Sequence, residues 1–282
     1  IVTPFRKGKV DERALGDLIE WQIAKGTNGI VPCGTTGESA TLSHEEHNRV
    51  IELTVEVVRR RVPVTAGTGS NSTDEAISLT KHAKDAGADA ALLITPYYNK
   101  PTQEGLYRHY KAIAEAVDLP LVLYNIPGRT GVNMLPATVA RLAGIQNIVG
   151  VKEGSGSIQQ ASDIVQTCGT RLTVLAGDDA MTLPMMAVGG TGVITVTANI
   201  APTEMAEMVK AFAAGNIEEA RRIHFQLSPL FAALFIETNP IPVKEALGMM
   251  GKIDPELRLP LCPMEKDNRA KLMQVMKEGR FI

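Results

Sequence analysis

Asn147-Ile148-Val149-Gly150-Val151-Lys152, followed by Glu153-Gly154-Ser155-Gly156, is the stretch that decides how the chain is read. Its middle is apolar at successive positions rather than at alternate ones. That pattern marks a strand covered on both faces, as in a parallel sheet. Runs of the same character, rich in Val and Ile, lie at 29–32, 63–66, 90–95, 121–125, 172–176 and 192–197, and Ile1-Val2-Thr3 reads as the end of another. Helix-period stretches separate them, at about 11–26, 44–60, 73–87, 103–117, 135–143, 157–167, 180–188 and 203–214. Eight repeats of strand then helix within residues 1–215 predict an α/β fold, a (β/α)8 barrel. A doubly wound sheet is the other architecture with this alternation.

The pattern changes after Gly215. Helix-like segments at about 217–236, 242–250 and 266–278 follow one another with no strand between them, which predicts a C-terminal three-helix extension over 216–282. Pro242 suits a first helical turn. Ser43 and Glu46 have the spacing of a capping box for the helix at 44. Gly26 and Gly87 stand where helices should stop. Because the first strand shows only its end, further residues are expected before Ile1.

With 282 residues, 44% of them hydrophobic, the chain can bury one large core. A net charge of −2 gives no field suited to nucleic acid or an anionic membrane. No apolar run approaches the ~18–20 residues that span a bilayer, and no leader pattern is visible, so a cytoplasmic protein is expected. The three cysteines, Cys33, Cys168 and Cys262, are widely spaced and odd in number. They fit reduced thiols better than a disulfide framework, and with no CxxC pair they give no zinc site.

In a barrel the chemistry sits at the C-terminal ends of the strands. Lys152 ends a buried run, where an ammonium is poorly hydrated. An ordinary lysine amine, with a pKa ~10.4, is almost wholly protonated at neutral pH. Burial favours the neutral form, and a neutral amine can form a Schiff base with a carbonyl substrate. A packed stem with a head reaching water is the plain alternative. The loop Gly34-Thr35-Thr36-Gly37-Glu38-Ser39 offers backbone N–H groups and hydroxyls that could grip a small carboxylate, or it is an ordinary connector; it lacks the Gly-Lys-Ser/Thr of a P-loop. Tyr97 and Tyr98 follow another strand, as packing residues or as reactive phenols. Tyr124 ends the strand at 121–125, and Arg129 follows in a Pro-Gly loop, where a guanidinium can hold a carboxylate bidentately. Gly177-Asp178-Asp179 suggests a metal, or more simply an N-cap. Together Thr36, Tyr98, Tyr124, Arg129 and Lys152 make a carbonyl-chemistry site with a nucleophile, proton-carrying hydroxyls and an anion holder.

Six ordered motifs, GTTGESATL (34–42), TPYYNKPTQEGLYRHY (95–110), YNIPGRTG (124–131), VKEGSG (151–156), GDD (177–179) and NPIPVK (239–244), resemble the dihydrodipicolinate synthase family, among the pyruvate-dependent class I aldolase-like lyases. The resemblance implies that Lys152 forms an imine with pyruvate. It implies that Tyr124 donates and accepts protons, and that Thr35, Thr36 and Tyr98 relay them to solvent, Tyr98 from a neighbouring subunit of a homotetramer, a dimer of dimers. Thr36, Ile194 and Gly177 would contact substrate, and Arg129 would hold the carboxylate of L-aspartate-4-semialdehyde. No metal or organic cofactor is implied. Ser39, Ala40, Leu42, His44, His47, Asn71, Glu75 and Tyr97 match a pocket in which L-lysine inhibits family members, Glu75 taking its amine and Asn71 and Tyr97 its carboxylate. An exposed helix face is the plain reading of His44 and His47. N-acetylneuraminate lyase and 2-keto-3-deoxy sugar-acid aldolases share the lysine and tyrosine, and a barrel that binds a keto acid without turnover is the rival of another class.

Overall fold

The computed structural model describes all of residues 1–282, which form two compact units, 65–195 and 1–64 with 196–282. A short antiparallel hairpin, β1 (Phe5–Arg6) and β2 (Lys9–Val10), opens the chain. Residues 65–195 hold a parallel sheet of β3 (Thr65–Gly67), β4 (Ala90–Ile94), β5 (Leu121–Asn125), β6 (Ile148–Glu153), β7 (Thr173–Ala176) and β8 (Gly192–Val193). The strands pair in sequence order, β3-β4-β5-β6-β7-β8. A doubly wound sheet reverses its order at a switch point; this one does not, and the fold class is that of a (β/α)8 barrel.

Helices Thr73–Asp85, Gln103–Ala116, Pro136–Leu142, Ile158–Cys168 and Thr182–Ala187 fall in the gaps between these strands, close to the segments the period predicts. The core joins one face of the sheet to the helices. Leu121, Leu123, Ile148, Val151, Val174 and Ala176 pack with Leu106, Tyr110, Ile113, Ala161 and Ile164. A fully buried side chain of this size contributes about 1.5–3 kcal/mol relative to exposure. β6 carries a bulge: Leu121 pairs with Ile148 but Val122 pairs with Gly150, so Val149 has no partner and remains 38% exposed. The extra residue shifts the pleat by one. Ile148, Val151 and Glu153 therefore share the helix-covered face, and Lys152 takes the other.

In the second unit, helices Glu12–Ala24, His44–Val58 and Pro202–Ala213 are joined by the three expected after Gly215, Ile217–Ala233, Ile241–Met249 and Lys266–Glu278. The Ser43 capping box forms in full, and Gly26 and Gly87 adopt φ of +89° and +92° at their helix ends. The strands expected at 1–3 and 29–32 are not regular. Residues 29–32 pair only through a parallel bridge of Ile30 with Val64. Pro32 has no N–H to continue a ladder, and Cys33 turns the chain at φ +54°. Residues 1–3 join no strand ladder, Ile1 donating to Val31 O at 3.0 Å and Val2 N to Asn199 Oδ1 at 3.1 Å. The strand expected over 192–197 stops at Val193, and Thr197–Asn199 forms a 3-10 turn. The hairpin and a four-residue helix, Pro127–Thr130, are features the periodicity does not announce.

Candidate active site

Strand ends bring the two central residues of the 65–195 unit together. Tyr124 on β5 stands in register with Lys152 on β6, and Lys152 Nζ lies 4.2 Å from the centre of the Tyr124 ring. On the other flank Lys152 registers with Leu175 of β7. Contrary to the expectation from sequence, Lys152 does not close its strand, since β6 runs on through Glu153, and it is half-buried rather than sealed from solvent. Tyr124 is 5% exposed.

The loops beyond these strands are tied backbone to backbone. Gly154 N donates to Asn125 O at 2.8 Å, Gly177 N to Glu153 O at 2.7 Å, and Ile194 N to Ala176 O at 3.0 Å. The backbone packs tightly against glycine at two of these steps. A Cβ on Gly154 would stand 3.0 Å from Asn125 O, and one on Gly177 would stand 3.0 Å from the Gly154 Cα. The expected substrate residue Gly177 is thereby held beside the end of β6, and Ile194 beside the end of β7. Asp178 accepts from Ala180 N at 2.9 Å and caps a 3-10 turn, which is its plainer reading. No group of three or more His, Cys, Asp or Glu side chains is arranged to hold a metal.

Arg129 is exposed on the short helix Pro127–Thr130, which closes on Gly131 at φ +73°. Thr130 anchors this turn, its hydroxyl within reach of the Ile126 and Val132 carbonyls at 3.1 Å. Tyr98 is 90% exposed at φ +71°, an uncommon conformation for a bulky residue. Its loop is braced by Asn99 Nδ2 on Asn71 O at 2.9 Å and by Asn71 Nδ2 on Tyr97 O at 3.2 Å. Asn71 and Tyr97 are thus together, and Glu75, bonded to the Ser70 hydroxyl, stands close enough to add to the burial that raises the Tyr97 phenol above its ordinary value.

Thr35, Thr36, Ser39, Ala40, Leu42, His44 and His47 belong to the other unit. Thr36 Oγ1 accepts from Asn239 Nδ2 at 3.0 Å. The threonine loop turns through Glu38 at φ +52°, and Glu38 is pinned by a buried ion pair, Lys244 Nζ to Oε1 at 2.6 Å. Lys244 Nζ also donates to Thr3 O at 2.9 Å and lies 4.2 Å from the Phe5 ring centre. Arg258 N donates to Glu38 Oε2 at 3.3 Å. A Cβ on Gly37 would meet Cys33 N at 3.1 Å and Ile1 O at 3.2 Å, so the backbone packs closely at this turn. His44 is exposed, but His47 is 4% exposed and not on an open helix face, because its side of the helix His44–Val58 packs inward with Val50 and Ile51. Cys33 and Cys168 are buried and Cys262 exposed, all as free thiols, and burial pushes the Cys33 thiol up.

Several site residues escape a reading of the sequence alone. Glu153, Asn125, Asn133 and Gln160 form a polar cluster on the reverse face of β5 and β6. Asn239 and Lys244 reach the threonine loop from about two hundred residues away in the chain. A partial signal was present: two charged residues in succession after an apolar run require opposite faces, so one of them must be buried among helices.

The Dihydrodipicolinate synthetase family profile matches residues 1–279. A 4-hydroxy-tetrahydrodipicolinate synthase of Geotalea daltonii is 64% identical over 282 residues, which cover 100% of this chain and 97% of the relative. The chloride-inhibited dihydrodipicolinate synthase of Acinetobacter baumannii, solved in complex with pyruvate, is 51% identical with a TM-score of 0.98, over 100% of this chain and 97% of that one. The enzyme of Cyanidioschyzon merolae, solved with lysine bound, is 41% identical with a TM-score of 0.97, over 100% and 97% of the two chains.

Proposed function

Because this chain belongs to the dihydrodipicolinate synthetase family, we propose that it joins pyruvate to L-aspartate-4-semialdehyde through an imine on Lys152. The activity is 4-hydroxy-tetrahydrodipicolinate synthesis, a lyase-type carbon–carbon bond formation in diaminopimelate and lysine biosynthesis. The observation that carries the residue assignment is the pairing of Lys152 and Tyr124 in register on adjacent strands, 4.2 Å from amine to ring centre.

The neutral Lys152 amine adds to the pyruvate ketone, and loss of water gives a protonated imine. That imine is an electron sink. A methyl proton leaves, an enamine forms, and its carbon attacks the aldehyde. The amine of the semialdehyde then adds to the imine carbon, Lys152 departs by transimination, and the ring closes. Tyr124 moves the protons, with Thr35, Thr36 and Tyr98 as the relay to solvent. Thr36, Gly177 and Ile194 seat pyruvate, and Arg129 binds the semialdehyde carboxylate as a charge-assisted pair. The chemistry calls for no metal or organic cofactor.

Three further assignments are part of this reading. Tyr98, 90% exposed in the single chain, serves a neighbouring subunit in a homotetramer built as a dimer of dimers. L-Lysine inhibits at Ser39, Ala40, Leu42, His44, His47, Asn71, Glu75 and Tyr97, a reading supported by the association of Asn71, Tyr97 and Glu75. Residues 216–282 serve as an appendage to a barrel of 1–215. No helix is long and apolar enough to cross a membrane, and free thiols suit a cytoplasmic setting.

The test is the condensation itself. Pyruvate and aspartate-4-semialdehyde are mixed with the protein, the product is reduced by the downstream reductase, and NADPH consumption is followed with and without lysine. Turnover that lysine lowers is the expected result. A folded protein that traps pyruvate yet gives no turnover would overturn the substrate assignment in favour of a sugar-acid aldolase.

A further inference from the structure

Directly behind Lys152 and Tyr124, on the helix-covered face of the sheet, lies a buried carboxylate with no cation. Glu153 is 2% exposed, and its bonds come from neutral donors: Asn125 Nδ2 and Gln160 Nε2, each 3.0 Å from Oε2, and Ser155 N, 2.6 Å from Oε1. The cluster closes on itself. Asn125 Nδ2 also donates to Asn133 Oδ1 at 2.8 Å, Asn133 Nδ2 to Gln160 Oε1 at 2.8 Å, and Gln160 Nε2 to Asn133 Oδ1 at 3.1 Å, while Asn125 Oδ1 accepts from Met134 N at 2.9 Å. Four side chains thus join the end of β5, the end of β6, the segment that follows the Arg129 turn, and the first turn of the helix Ile158–Cys168.

Nothing about the core asks for a charge there. Val151 and Ala176, on the same face, are fully buried and apolar. A buried charge is costly unless every lone pair is met, and a fully met network rigidifies what it joins. What it joins is the reacting geometry. Asn125 and Glu153 pair in register one step beyond Tyr124 and Lys152.

We propose that Glu153 is a positioning residue for the condensation: gripped by Asn125, Gln160 and the Ser155 amide, it fixes the strand ends that present Lys152 and Tyr124 and the turn that presents Arg129. The proposal rests on the reading of Lys152 as the imine-forming residue. Misplacement by about 1 Å can cost on the order of a hundredfold in rate, so the effect belongs in turnover rather than in affinity.

The test uses Glu153→Gln, which keeps the volume but turns one oxygen into a donor that must face another donor. Three quantities are followed in the full-length protein: the melting temperature, trapping of pyruvate by borohydride, and kcat and KM for the condensation. The melting temperature should stay within about 4 °C of the parent, a modest shift for a chain of this length. In the folded protein kcat should fall at least about tenfold, with KM for pyruvate changed less than about threefold. The double variant Glu153→Gln, Asn125→Asp restores the strand-to-strand bond with its polarity reversed, and should recover part of the lost kcat. A folded Glu153→Gln protein with kcat within about twofold of the parent would overturn the proposal, as would a double variant no better than the single one. If Glu153→Gln does not fold, Asn133→Ala, farther out in the same cluster, must lower kcat in folded protein, and an unchanged kcat there is equally fatal. Failure of the underlying reading shows separately, as a parent protein in which borohydride traps no pyruvate on Lys152.

Discussion

Glu38 and Glu153 are both almost wholly buried, and each stands beside a candidate catalytic segment, yet they are satisfied in opposite ways. Glu38 meets a full countercharge, Lys244, which shares itself with Thr3 O and lies over the Phe5 ring. Burial lowers the Lys244 ammonium below its ordinary value, and the Glu38 charge opposes that shift. Glu153 meets only amides. Where two charges face each other, removing either leaves the other stranded. Where amides surround one charge, removing it leaves polar groups that cost less to strand. The first arrangement secures the fold around the threonine loop. The second holds a geometry at modest cost to stability.

The largest test of this contrast is Lys244→Met. Stranding Glu38 should cost about 3–5 kcal/mol in denaturant unfolding. Adding Glu38→Gln should recover most of that loss, because the uncompensated charge is gone. A single variant within about 1 kcal/mol of the parent would remove the distinction between the two glutamates.

A buried histidine extends the comparison to a group that stays neutral. Burial pushes His109 down to about 4, with Thr73 Oγ1 2.9 Å from its Nδ1. Between about pH 6.5 and 4 the unfolded chain binds this proton and the folded chain does not, so stability falls on acidification. The slope is about 1.4 kcal/mol per pH unit from this ring, roughly 3 kcal/mol across the window, and vanishes above about pH 6.5. His109→Gln, which can keep the bond to Thr73, should flatten the curve of unfolding free energy over that window. Parallel curves for the two proteins would mean that the ring titrates normally.

Glu153→Leu should cost less than Lys244→Met, about 1–3 kcal/mol, the price of leaving Asn125, Gln160 and the Ser155 amide without their acceptor. A larger loss than that of Lys244→Met would invert the comparison. The smallest effect expected is Ser43→Ala, which removes the N-cap of the helix His44–Val58 and should cost about 1 kcal/mol by the same unfolding measurement.

Much of the fold was legible in the chain because the apolar runs and helix periods alternate without interruption. What was not legible depends on single residues. Pro32 and the left-handed Cys33 leave only Ile30 to pair at 29–32, a detail that composition hides. In the site, Lys152 and Tyr124 could be picked out because both come at the ends of apolar runs. Glu153 could not, because the bulge at Val149 changes which of two successive charged residues faces the helices, and a run of apolar residues gives no phase. Asn239 and Lys244 were hidden by distance along the chain: their partners Thr36 and Glu38 lie 203 and 206 residues away.

The central claim is that Lys152 is the residue on which pyruvate becomes an imine. The most direct measurement incubates the protein with pyruvate, reduces with borohydride, and locates the mass increase by peptide mapping. One adduct per chain, on the peptide bearing Lys152 and absent from Lys152→Ala, is the predicted result. An adduct on another lysine, or an adduct that persists in Lys152→Ala, would contradict the account.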